Sequence, residues 1–169
     1  MKRTVKIIVS GDGGVGKTSF LNRLIHDKFD ANSELTIGVD FFSKDIQING
    51  HEYKFIMWDF AGQNHFKRLL SNFVDGSLAA FVLFDFSRFK TLVNIEEWIK
   101  KLKVYGSIPA FILGNKSDQM DDDNYKIFDD YVLELTKKYN NIIGYLRISS
   151  KTGHNVKRAF DEFIRKLSN

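Results

Sequence analysis

Cysteine is absent from the 169 residues, which excludes disulfides, thiolate metal sites and a thiol nucleophile within them. The same absence removes prenyl thioether and palmitoyl thioester anchors, and Lys2 stands where N-myristoylation requires glycine. Membrane contact is therefore expected only through partners. No stretch approaches the ~18 apolar residues of a transmembrane helix, and the apolar run Val5 to Val9 is too short for a signal-peptide core. The expectation is a cytoplasmic protein, recruited to membrane surfaces by partners if at all. Repeats, low-complexity tracts and linkers are also missing, so residues 1–169 read as one domain. What is present is 43% hydrophobic and 27% charged residues, a balance that excludes a disordered chain. The net charge of +4, from 25 basic and 21 acidic residues, could suit acidic partners or anionic surfaces, though scattered solvated lysines are the plainer reading. No nucleic-acid partner is expected.

Two periodicities alternate along the chain. Short apolar runs predict strands at Val5 to Val9, Tyr53 to Trp58, Leu78 to Phe86, Ala110 to Leu113 and Ile142 to Ile148. Helical spacing joins Phe20, Leu21, Leu24 and Ile25, then Ile95, Trp98, Ile99 and Leu102. It returns at Phe128, Tyr131, Val132 and Leu135, and at Val156, Ala159, Phe160, Phe163, Ile164 and Leu167. Strands separated by helices imply an α/β fold with a mostly parallel six-stranded sheet and helices on both faces. Asn49-Gly50 is a strong two-residue turn signal between Phe41 to Ile48 and Tyr53 to Trp58, so one edge strand should run antiparallel. The acidic run Asp121-Asp122-Asp123 is expected to open a helix, whose dipole favours negative charge there.

Gly11-Asp12-Gly13-Gly14-Val15-Gly16-Lys17-Thr18 follows the first strand and opens a helical segment, the pattern and context of a phosphate-binding P-loop. Such a loop wraps phosphate oxygens with backbone amides, in conformations side chains obstruct, and sets polyphosphate at a helix N-terminus. Gly13, Gly14, Val15, Gly16, Lys17, Thr18 and Ser19 are the candidate phosphate-binding residues. Lys17 supplies positive charge to the outer phosphates, and the Thr18 hydroxyl suits Mg²⁺, a cation that prefers oxygen ligands. Asp59-Phe60-Ala61-Gly62-Gln63 follows the strand ending at Trp58, at the sheet edge where α/β folds bind ligands. Asp59 can hold a water of the Mg²⁺ shell, and the Gly62 amide can donate to a γ-phosphate. Gly114-Asn115-Lys116-Ser117-Asp118 follows another strand. The two acceptors of Asp118 match the N1–H and 2-amino donors of guanine, whereas adenine lacks both and leaves the carboxylate unpaired.

These three motifs, in this order and spacing, resemble the Ras superfamily of small GTPases over nearly the whole chain, on a P-loop NTPase fold. The resemblance implies GTP or GDP as bound nucleotide, with Mg²⁺ held by Thr18, Thr36 and Asp59. It makes Thr36 the switch I threonine, lays Phe29 against the guanine and assigns base binding to Asn115, Lys116 and Asp118 with Ser149-Ser150-Lys151. Gln63 matches the family's catalytic glutamine, which orients the attacking water. Thr36-Ile37-Gly38-Val39-Asp40-Phe41 is similar to the switch I signature of the Rab branch, and Phe41, Trp58 and Phe73 resemble the aromatic trio Rabs present to effectors. Their alternative reading is simply core. The resemblance implies a monomer served by a GTPase-activating protein, an exchange factor and effectors.

The departures from the family pattern are Ser33 in place of a switch I tyrosine, Phe60 in place of threonine, and Asn64-His65 after Gln63. The chain also stops at Ser168-Asn169 without the cysteine-bearing tail usual in Rabs, so a lipid anchor was either trimmed or never present. These replacements leave one rival from another class, a GTPase-like scaffold that holds nucleotide with little hydrolysis. A P-loop ATPase or kinase is disfavoured by Asn115-Lys116 and Asp118. His26, His51, His65 and His154 lie far apart and pair with no nucleophile, so surface or packing roles are expected, His65 alone being placed to sense pH or meet a partner. No arginine occurs in Phe29 to Asp40 or Ala61 to Lys67, so hydrolysis is expected to be slow without a partner.

Overall fold

Burial on both faces is what makes the central strands continuous apolar runs. The computed structural model describes residues 2–62 and 68–168. Its strands are β1 (Arg3–Gly11), β2 (Val39–Ile48), β3 (His51–Phe60), β4 (Ser77–Asp85), β5 (Ala110–Asn115) and β6 (Ile142–Arg147). They form one sheet in the order β2-β3-β1-β4-β5-β6. β2 runs antiparallel to β3 and every other pairing is parallel, as expected. Asn49 and Gly50 close the hairpin with φ of 50° and 79°, the two positive values a type I′ turn demands. Every strand predicted from an apolar run is present, with ends shifted by up to about two residues.

Among the described residues the longer helices are α1 (Lys17–His26), α2 (Phe89–Val104), α3 (Tyr125–Lys138) and α4 (Val156–Leu167). Alternation along the strands divides the core in two. Ile8, Val82, Phe84 and Ile112 pack against Leu92, Ile95, Trp98 and Ile99 of α2 and Phe128, Val132 and Leu135 of α3. On the other face Ile7, Val9, Phe81, Leu83 and Leu113 meet Phe20 and Leu21 of α1 and Val156, Ala159, Phe160 and Phe163 of α4. The acidic run makes a short 3₁₀ turn, Asp122–Asn124, that leads directly into α3.

Phe81 is the centre of the second half-core. It is fully buried, and its ring lies 5.2 Å from that of Phe20, 6.1 Å from Phe111 and 4.1 Å from Phe163. Phe81→Ala should lower the unfolding free energy by ~3–5 kcal/mol, seen as an earlier denaturant midpoint at unchanged slope. A midpoint that does not move would show that this packing does not hold β4.

The topology brings four strand ends to one place. In-register pairing sets Val9 beside Asp59, Gly11 beside Leu83 and Asp85 beside Asn115. The loops that leave β1, β3, β4 and β5 therefore start from a common rim, where open α/β sheets bind ligands.

Candidate functional site

A backbone that turns its amides toward an anion must turn its carbonyls away, because each planar peptide carries the two on opposite sides. Those carbonyls then need donors of their own. Lys17 Nζ donates to Gly11 O at 2.9 Å and Asp12 O at 2.8 Å, and Arg88 Nη2 donates to Gly13 O at 3.1 Å. Lys116 Nζ reaches Gly14 O at 3.0 Å, Asn115 Nδ2 reaches Val15 O at 2.9 Å, and Phe20 N closes on Gly16 O at 2.8 Å. Every carbonyl from Gly11 to Gly16 thus has a donor. Gly16 has φ of 95°, and Asn115 Nδ2 occupies the space a Cβ there would need. Only glycine fits both constraints.

In front of the loop is a cavity of about 410 Å³. Gly13, Gly14, Gly16, Lys17, Thr18 and Ser19 form one end of it, Phe29, Thr36 and Gly62 a side, and Asn115, Lys116, Asp118, Ser150 and Lys151 the other end. Three of the described candidate residues lie outside the lining, Val15, Ser149 and Asp59. Val15 is fully buried in the core, so it offers the cavity only backbone. Ser149 is buried and donates its hydroxyl to Asp118 Oδ1 at 2.5 Å, which orients that carboxylate.

Thr18, Thr36 and Asp59 converge beside Lys17. Thr18 Oγ1 lies 2.6 Å from Thr36 Oγ1 and donates to Asp59 Oδ2. Asp59 is completely buried, and among the described residues its Oδ1 has no hydrogen-bond partner. Burial pushes the Asp59 carboxyl up to about 6, against the pull of the Thr18 hydrogen bond and the Lys17 charge. Burial also lowers Lys17 to about 8, opposed by Asp59 and Asp12. A buried carboxylate with a free oxygen calls for a cation, and a buried ammonium for an anion. Among the described residues no three His, Cys, Asp or Glu side chains gather into a cage. One carboxylate and two hydroxyls beside a phosphate loop are the donor set that fits Mg²⁺, which takes few protein ligands and completes its shell with phosphate and water.

At the other end Lys116 adopts the left-handed conformation, φ 63°, which a non-glycine residue holds only where its surroundings impose it. Asn115 Oδ1 accepts from Ser150 N at 3.0 Å and Ser150 Oγ at 3.1 Å, tying the two base-side loops together. Arg23 braces the second loop by donating from Nε to Ser150 O at 2.9 Å.

The aromatic trio is a stack that runs from core to surface. Phe41 is 61% exposed and its ring meets Trp58 edge-on at 4.8 Å. Trp58 and Phe73 are half-buried at 6.0 Å, and Phe73 packs at 5.3 Å on the buried Phe60. The phenylalanine at position 60 thus roots the stack in the core.

Gln63, Asn64 and His65 lie outside the described residues. Among residues that sequence reasoning passed over, Arg88 and Asn94 reach the loop, at Gly13 O and Asp12 Oδ2, and Asp85 anchors Arg88. The only sequence signal for Asp85 is its place near the end of an apolar strand; that for Arg88 is absent.

A profile of the Ras family matches residues 6–169. Ras-related protein Rab-18-B of Danio rerio is 33% identical over 167 residues, covering 97% of this chain and 79% of that protein. Ras-related protein Rab-9A of Rattus norvegicus is 35% identical over 168 residues, with 96% and 82% covered. Ras-related protein Rab-22A of Homo sapiens is 33% identical over 169 residues, with 98% and 84% covered. The non-hydrolysing scaffold is not favoured by this kinship. A phosphate loop backed by donors, an oxygen donor set for Mg²⁺ and a carboxylate suited to guanine agree with it, and the chain belongs to the Ras family as a Rab-like small GTPase, a switch that binds GTP and GDP with Mg²⁺ and hydrolyses GTP.

Proposed function

We propose that residues 1–169 act as a single G domain and a monomeric switch in membrane traffic, cytoplasmic and brought to membrane surfaces by its partners. The observation that carries the switch assignment is the Thr36–Thr18–Asp59 junction, which joins the segment before β2 to the start of α1 and the end of β3. A second contact, Ala61 N to Gly38 O at 2.9 Å, joins the segments before β2 and after β3 directly. A γ-phosphate that draws Thr36 and Gly62 toward it orders both segments, and cleavage releases them. Moving such an equilibrium from 1:99 to 99:1 takes ~5.5 kcal/mol, within reach of two or three charge-assisted hydrogen bonds.

In this reading the amides of Gly13, Gly14, Val15 and Gly16 and the Lys17 ammonium hold the phosphates. Phe29 covers the base, while Asn115, Lys116, Asp118, Ser149, Ser150 and Lys151 recognise or frame it. Mg²⁺ bound at Thr18, Thr36 and Asp59 supplies positive charge to the outer phosphate oxygens. Gln63 orients the attacking water. Phe41, Trp58 and Phe73 form the face for effectors, and a GTPase-activating protein and an exchange factor act through the same segments.

Single-turnover phosphate release from GTP-loaded protein tests the catalytic part. Gln63→Leu should retain GDP and GTP while hydrolysing ~10–100-fold more slowly, since positioning groups contribute on that scale. A hydrolysis rate equal to that of the unmodified protein would remove Gln63 from the mechanism.

A further inference from the structure

The Gly13 carbonyl and the Gly14 amide are opposite ends of one planar unit, so whatever holds the carbonyl aims the N–H. The donor on Gly13 O is the Arg88 guanidinium, at 3.1 Å through Nη2. The next peptide is held the same way, by Lys116 Nζ on Gly14 O at 3.0 Å. Both cations are anchored by one carboxylate. Asp85 Oδ2 accepts from Arg88 Nε at 3.0 Å and Lys116 Nζ at 2.7 Å, while Oδ1 takes Ser87 N at 2.8 Å and Ser87 Oγ at 2.6 Å. The side chain of Asp85 is fully buried at the end of β4.

We propose that Asp85 and Arg88 are positioning residues that aim the loop amides at the phosphates and thereby set how long nucleotide stays bound. The proposal rests on the assignment of this cavity to nucleotide. Three features of the geometry carry it. The guanidinium fork spans Asp85 and Gly13 at once through different nitrogens, which a lysine ammonium cannot do with the same rigidity. The loop here is Gly13-Gly14, whose backbone turns over easily unless something outside it fixes the peptide planes. Finally, Asp85 ties the phosphate side to the base side, because the lysine it holds stands between the two base-loop residues Asn115 and Ser117. Hydrogen bonds from Lys116, Ser87 and Arg88 outweigh the effect of burial and hold the Asp85 carboxyl below its usual range, so both cations meet a full negative charge.

Arg88 is half-exposed, so Arg88→Ala can be made without opening the core. The full chain is loaded with a fluorescent GDP in Mg²⁺ and chased with unlabelled GDP. Affinities for GDP and GMP are compared by competition, and hydrolysis is followed in single turnover. Arg88→Ala should release GDP about 10–100-fold faster, the scale of one charge-assisted hydrogen bond. Arg88→Lys should recover only part of the loss, and GMP affinity should fall much less than GDP affinity. Asp85→Asn should act in the same direction and less than additively with Arg88→Ala. Release from Arg88→Ala within twofold of the unmodified protein would overturn the proposal. So would an equal loss for GDP and GMP, which marks a general prop, and so would slower hydrolysis with unchanged release, which moves Arg88 to the chemistry. Unmodified protein that takes up no GDP at all would instead sink the nucleotide site on which the proposal stands.

Discussion

Asp118→Asn is expected to lower the affinity for GDP by roughly two to four orders of magnitude while leaving the fold intact. The substitution is isosteric, and Ser149 Oγ, 2.5 Å from Asp118 Oδ1, can still donate to an amide oxygen. Position 118 itself stays where the scaffold sets it. Ser117 N donates to Ile148 O at 3.1 Å, Tyr125 Oη donates to Ser117 O at 2.6 Å, and the 3₁₀ turn Ser117–Gln119 carries the residue to the cavity. What changes is donor and acceptor pattern alone. Guanine offers two donors, N1–H and the 2-amino group, and a carboxylate accepts both. An amide accepts one and turns its own N–H against the other, which removes two charge-assisted bonds of ~1.5–3 kcal/mol each and adds a clash of donors. Xanthine carries an oxygen in place of the 2-amino group, so XDP should bind this variant better than GDP does. Competition of GDP, XDP and ADP for the variant measures all three terms. GDP binding as tight as in the unmodified protein would take base recognition away from Asp118.

Local pattern and tertiary placement divide what could be read from the chain. The strands were legible because β4, with Phe81, Val82, Leu83 and Phe84 all buried, has no exposed face to interrupt it. Its neighbour β1 extends beyond its apolar run to Arg3 and Gly11 because pairing with β3 and β4 continues past the last hydrophobic residue. Hydrogen bonding of polar ends depends on the partner strand's length, which apolar spacing does not encode. The candidate site residues were legible where a motif carries the chemistry within a few consecutive positions, as at Gly16-Lys17-Thr18. Asp85 and Arg88 were not. Their relation to Gly13 exists only because β4 lies between β1 and β5, a property of strand order. The aromatic trio falls between these cases. Phe41, Trp58 and Phe73 could be core or surface by sequence, and the structure makes them both, since the stack begins on buried Phe60 and ends at exposed Phe41.

Conserving the charge of a loop-carbonyl donor is not enough to conserve its function. Lys17 of α1, Arg88 just before α2, and Asn115 and Lys116 at the end of β5 hold different peptide planes of the loop. Moving any of these elements rotates an amide on the far side of the loop. Asn115 and the Val15 peptide are therefore mechanically coupled, through a single hydrogen bond of 2.9 Å.

Gly62→Ala should separate nucleotide binding from switching. A Cβ at position 62 would fall on the backbone of Asp12 and Gly13 and within 2.5 Å of Gly11 O. These are backbone atoms of a loop held by Lys17, Arg88 and Lys116, so the loop cannot give way without breaking the donors behind it. The segment after β3 has to retreat instead. Its retreat pulls on Ala61, whose N–H donates to Gly38 O at 2.9 Å, and through Gly38 on Thr36 two residues earlier. Neither the base loop nor Lys17 is displaced by that motion. GDP affinity should consequently stay within a few-fold of the unmodified protein. GTP should lose its advantage over GDP in ordering the two segments, and single-turnover hydrolysis should fall ~100-fold, the scale on which an ångström of misplacement acts. Amide hydrogen exchange over residues 33–41, compared between GDP and a non-hydrolysable GTP analogue, reads the ordering directly. Equal protection by the two nucleotides in Gly62→Ala, against unequal protection in the unmodified chain, is the expected result. A variant that hydrolyses GTP at the normal rate would show that the close packing of Gly62 on the phosphate loop plays no part in the switch.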